Sequence, residues 1–132
     1  MIQAIYFKTA MFDVSQEPEN PINPIYGESL LRWLSSELSG QLELTEPEAE
    51  DWGWYSELSF KGQDYLVGAC AYFEAGDDPS QEIEWVLQIH KHRSFKQKLL
   101  RRNKMDGKDA CLLFFKALLE QNPSFTAISL GS

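Results

Sequence analysis

In two stretches, residues 54 to 61 and 82 to 92, the chain changes polarity at almost every step, and this constrains the fold more than any other feature. In "WYSELSFK", residues 54 to 61, Trp54, Leu58 and Phe60 fall on one side of an extended chain, and Tyr55, Glu57, Ser59 and Lys61 on the other. Period two marks a strand with one buried face. "EIEWVLQIHKH" repeats the pattern: Ile83, Trp85, Leu87 and Ile89 face a core, while Glu84, Gln88, His90 and His92 face away. Between them "YLVGACAYF", residues 65 to 73, is apolar on both sides and belongs in the middle of a sheet. The joints "KGQD" and "EAGDDPSQ" are turn sequences, so the three strands form an antiparallel meander.

The flanking segments supply the rest of a fold. "IQAIYF", within residues 2 to 8, is rich in β-formers and reads as a first strand. "ESLLRWLSSELSG" carries Leu30, Leu31, Leu34 and Leu38 at helical spacing, with Glu28 in the first turn, Trp33 widening the stripe and Gly40 as the stop. "SFKQKLLRRN" opens on a Ser94…Gln97 capping box. "DGKDACLLFFKALLEQNP" is a stronger helix that Pro123 ends, and "FTAISL" is a last strand. The order β-α-β-β-β-α-α-β predicts an α+β fold: one mainly antiparallel sheet with the helices packed on one face. At 132 residues without repeats or a low-complexity linker, the chain is expected to be one domain. Within it, residues 13 to 26 place Pro18, Pro21 and Pro24 every third residue, which bars a helix or a central strand. This segment is a packed arm or a mobile flap.

Two clusters of charge stand out. Glu43, Glu46, Glu48, Glu50 and Asp51 crowd the approach to "WGW", Trp52 to Trp54. Carboxylates this dense repel one another and favour an exposed loop. Gly53 between the indoles suits a bulge or a sharp entry into the strand, and on an extended chain the two indoles share one face. The structural reading is a solvated loop with Trp54 in the core. The functional reading is a recognition loop in which Glu48, Glu50 and Asp51 steer a cationic partner and Trp52 contacts it. The second cluster is basic. Residues 91 to 108 hold eight cations and only Asp106 as an acid, formally +7, which leaves −15 for the rest of a chain whose net charge is −8. Lys98, Arg101, Arg102 and Lys104 form its centre as a candidate anion-binding patch. Phe95 is its single aromatic and is assigned to the apolar side of a helix with Leu99, which weakens a nucleic-acid reading, because such modules interleave exposed aromatics with cations. Paired between molecules, the two clusters also suit a homodimer.

Other chemistry is thinly represented. His90 and His92 project from one strand face at a spacing that can chelate zinc or copper, but two ligands do not make a site; a third must come from Glu84, Cys70 or elsewhere. "EAGDDPSQE" lacks the ligand pattern of a calcium loop, and no phosphate-cradling glycine loop, nucleophile elbow, C-x-x-C or H-E-x-x-H is present. Cys70 and Cys111 lie in apolar settings and read as buried free thiols. The N-terminus has no signal-peptide character and no window is apolar enough for a spanning helix, so no membrane partner is expected and the cytosol is the expected compartment. No cofactor is implied.

The run "EDWGWYSELSFKGQDYLVGACAYF", followed by "EWVLQI", is similar to small bacterial proteins of unassigned function, over residues 28 to 90, with E-D-W-G-W at Glu50 to Trp54 as the distinctive motif. The resemblance implies a bacterial cytosolic single domain and supplies no catalytic residues. The expectation is a non-enzymatic protein-binding domain, regulatory or of the kind that neutralises a cationic partner as immunity-type inhibitors do. The alternatives are a phosphate or nucleic-acid binder working through residues 91 to 108, and a hydrolase or metal-dependent enzyme using His90, His92 and nearby carboxylates.

Overall fold

The computed structural model describes residues 2–74 and 76–131, without the side chains of Ile2 and Phe95. Six strands, β1 (Ile2–Thr9), β2 (Glu48–Glu50), β3 (Gly53–Phe60), β4 (Gln63–Tyr72), β5 (Ile83–Lys91) and β6 (Thr126–Gly131), form one sheet in the order β2-β3-β4-β5-β1-β6. Every neighbouring pair is antiparallel. Three helices complete the fold: α1 (Glu28–Glu37), α2 (Phe95–Leu99) and α3 (Ala110–Glu120). This is the expected α+β architecture, with the meander β3-β4-β5 at its centre. No described helix is long and apolar enough to cross a membrane.

Alternation decides which face is covered. Ile5, Phe7, Trp54, Leu58, Val67, Ala69, Trp85, Leu87 and Ile89 are all buried and belong to one core cluster. Leu30, Leu31 and Leu34 of α1 pack on the β3–β4 side, and Leu112, Phe115 and Leu119 of α3 on the β1–β6 side. Phe12, Trp33 and Phe125 close the seam between the helices in aromatic contacts of 5.1 to 6.3 Å, edge-on where Trp33 takes part and tilted between the two phenylalanines.

The register sorts the loops to the two ends of the sheet. β5 starts opposite Thr9 and Tyr72 and ends opposite Tyr65, beside the β3–β4 turn. The β2–β3 turn and the β4–β5 connection therefore share one end, and the α2 segment leaves from the other.

Three expectations are corrected. The acid run is not wholly a loop: Glu48–Glu50 pairs with Gly53–Tyr55 as β2, adding a strand. The helix starting at Ser94 is only five residues long, because Arg101 (φ 54°) and Asn103 (φ 55°) turn left-handed directly after it. Its capping box is formed as expected, but Leu99 is 70% exposed instead of lying on a buried side; the Phe95 side chain lies outside the described residues. Trp52 and Trp54 also occupy opposite faces, as described next.

Candidate functional site

The helices leave the second face of the sheet open. Ala4, Tyr6, Leu66, Gly68, Cys70, Tyr72, Val86, Gln88 and His90 point to it by alternation. Val86 and Gly68 lie low and are buried, whereas Tyr72 is 53% exposed.

Trp52 reaches this open face. It belongs to the tight turn between β2 and β3, and its indole lies over Gly68: a methyl group at Gly68 would come within 2.5 Å of its six-membered ring. Gly68 is thus the seat of the indole. The Tyr55 ring flanks it at 6.4 Å. Trp54 points the other way, 7% exposed, with Nε1 donating to the Ile25 carbonyl at 3.2 Å. Gly53 makes the reversal possible. Its φ of 147° suits no other residue well, and a Cβ there would meet the Ala69 carbonyl oxygen at 2.5 Å. Ordinary strand alternation, which predicts a shared face, fails across that joint.

The proline-rich segment supports the turn from below. After a 3-10 turn at Val14–Gln16, the Glu17 carboxylate accepts from the amides of Gly27, Glu28 and Ser29 and from the Ser29 hydroxyl, capping α1 from a distance. The Asn20 amide donates to the carbonyls of Glu50 and Gly53, each at 3.0 Å, and Asn23 donates to the Asp51 carbonyl at 2.7 Å. Tyr26 then pairs with Ala71 along β4. These bonds tie residues 17 to 26 to the β2–β3 turn, to the start of α1 and to β4. The only sequence signal of Asn20 and Asn23 is that each precedes a proline, which marks turns and not distant partners.

The carboxylates gather at the same end. Glu48 is exposed and holds the Tyr55 hydroxyl, whose pKa is raised first by that hydrogen bond and then by the charges of Glu48 and Glu57. Glu50 and Asp51 sit at the turn itself. Glu46, further back, pairs with Arg32 at 2.8 Å. The β4–β5 connection adds Glu74, Asp77, Asp78 and Glu82, and the start of β5 adds Glu84, so this end is an acid pole bearing Trp52 and Tyr72. A cleft of about 340 Å³ opens beside Tyr72, with Pro24, Ile25, Cys70 and Phe73 as apolar walls and Glu74 and Asp77 at its rim. Burial raises the pKa of the Cys70 thiol, which keeps it protonated near neutrality.

The opposite end is basic. Lys98, Arg101, Arg102 and Lys104 are all exposed on the segment after β5, and Leu99 and Leu100 are bare at its tip. The ion pairs among the described residues involve Arg32, Lys91 and Lys116, and none uses these four cations. Lys91 is the exception within the basic run: it is drawn inward to Asp109 at 2.8 Å.

His90 and His92 do share a face, with ring centroids 6.1 Å apart. Among the described residues, however, no group of three or more His, Cys, Asp or Glu is placed to hold a metal ion, so neither Glu84 nor Cys70 completes a set with them. A cleft of about 300 Å³ brings His92 near Glu43, Glu57 and Asp64. Both cysteines are free thiols.

Compared with protein-family models, curated proteins and solved structures, the chain finds no significant match.

Proposed function

We propose that this chain is a non-enzymatic binding domain that recognises a cationic protein at its acid pole, with Trp52 as the contact and Glu48, Glu50 and Asp51 as the steering charges. The observation that carries the reading is the seating of Trp52 over Gly68 on the uncovered face, among carboxylates and braced by Asn20 and Asn23. A braced turn loses little freedom on binding, so more of its contact energy appears as affinity. Like-charged carboxylates at one end raise the encounter rate with a cationic surface and reject anionic ones.

Capture from native lysate on the immobilised chain tests it. The wild type should retain a basic polypeptide that Trp52→Ala and the triple variant Glu48→Gln/Glu50→Gln/Asp51→Asn both lose, with each variant melting as a folded protein. Equal retention by all three would remove the turn from the function.

The second reading, a phosphate or nucleic-acid binder, rests on Lys98, Arg101, Arg102 and Lys104 standing free of carboxylates. Among the described side chains, the exposed apolar ones of this segment are Leu99 and Leu100, which offer no stacking platform for bases. It predicts a log–log salt dependence of binding to a single-stranded oligonucleotide.

A further inference from the structure

The basic segment and the cleft beside Tyr72 are complementary in three independent respects. The tip of the segment is apolar: Leu99 and Leu100 are 70% and 48% exposed. It is flanked by Lys98, Arg101 and Arg102, all exposed. The cleft is walled by Ile25 and Phe73 and rimmed by Glu74 and Asp77. An apolar tip suits an apolar cleft, and cations flanking the one are matched in sign by carboxylates lining the other.

The third respect is placement. β5 begins at the acid pole and ends where the basic segment departs, nine residues later. At about 3.3 Å per residue that separates tip and cleft by about 30 Å. A molecule cannot bring its own tip to its own cleft along a rigid strand, so the contact joins two copies.

We propose that this protein self-associates by inserting the Leu99–Leu100 tip of one copy into the Tyr72 cleft of another. The contact is heterologous, tip to cleft, so it either closes as a reciprocal pair or propagates head to tail. It shares the acid pole with the recognition reading but uses neither Trp52 nor its turn. A cationic partner bound there competes with self-association through crowding and charge. Screening confines the attraction to close range, with a Debye length of about 8 Å at physiological salt.

Sedimentation equilibrium at low salt, with two variants, tests the contact. The tip variant is Leu99→Glu/Leu100→Glu; the cleft variant is Tyr72→Lys/Glu74→Lys. All four positions are exposed, and a thermal melt verifies that each variant is folded. The wild type should rise with concentration from 15.2 kDa towards twice that mass or beyond, and each variant alone should remain at 15.2 kDa. Mixed, the two variants should form a one-to-one pair, because the cleft variant keeps an intact tip and the tip variant an intact cleft. A wild type that stays monomeric at the highest attainable concentration overturns the proposal, as does a mixture that stays monomeric. A wild type that is monomeric yet binds a single-stranded oligonucleotide assigns the tip to polyanions instead. The tip variant keeps Trp52, so capture of a basic polypeptide by that variant separates failure here from failure of the recognition reading.

Discussion

Asn20 joins the proline-rich arm to a turn 30 residues away. Its side chain is used fully: the amide donates twice to the β2–β3 hairpin, and the carbonyl oxygen accepts from the amides of Ile22 and Asn23. Asn20→Ala removes these bonds, two of them to carbonyls at least partly buried, so a loss of about 2 kcal/mol is expected in urea unfolding. Amide exchange at residues 50 to 53 should quicken more than exchange in β4 and β5. A loss below about 0.5 kcal/mol would mean that strand pairing alone holds the turn, since a buried bond is worth about 1 kcal/mol or more. The sequence displays Trp52, Glu48, Glu50 and Asp51 openly, as an acid run abutting indoles. It hides what positions them. The partner of Asn20 lies far along the chain, and the opposed faces of Trp52 and Trp54 depend on one backbone angle at Gly53, which period-two reading treats as an ordinary strand step.

Whole elements were more legible where a local period generates them. The three central strands and α1 follow from alternation and from leucine spacing, because burying one face is what forms them. α2 was legible only at its start: the capping box fixes the first turn, and nothing in "LLRRN" announces the left-handed turns at Arg101 and Asn103. α3 is anchored by a contact no pattern displays. Asp109 caps it through the amides of Cys111 and Leu112, while its second oxygen accepts from Tyr65 at 2.9 Å and pairs with Lys91. Burial works to raise the Asp109 pKa, but the Lys91 and Tyr65 bonds and the Leu112 amide outweigh it, and the net shift is downward. A carboxyl held lower in the folded state contributes stability above its unfolded value of about 3.9, and that contribution is lost as pH falls through the folded value. Asp109→Asn should therefore cost about 3 kcal/mol at neutral pH, since it strands a largely buried ammonium. The wild type and the variant should converge in urea unfolding below about pH 4. Lys91→Met added to Asp109→Asn should recover much of the loss. A difference between wild type and variant that is constant from pH 7 to pH 3 would show that the pair is held by shape and not by charge.

At the scale of the whole molecule, the sheet behaves as a dipole laid along β5. Acids predominate where β5 begins and cations where it ends, with Glu43, Glu57 and Asp64 beside His92 as carboxylates near the basic end, and among the described residues the ion pairs (Arg32 with Glu28 and Glu46, Lys91 with Asp109, Lys116 with Glu120) leave the excess at each end standing. A pole of like charges works against the compact state through self-repulsion. The proposed recognition role predicts that this surface trades stability for encounter rate. Glu48→Gln/Glu50→Gln/Asp51→Asn should accordingly raise the melting temperature at low salt, and the gain should shrink towards zero as added salt screens the repulsion in the wild type. The same variant should bind a basic protein more slowly, with the loss concentrated in the association rate and not in dissociation, because steering acts before contact. Thermal melts across a salt series, paired with association rates at each salt, check both halves. A triple variant that is less stable than the wild type at every salt concentration would mean that these carboxylates serve the fold through bonds of their own, and the acid pole would then be a by-product of folding with no steering role.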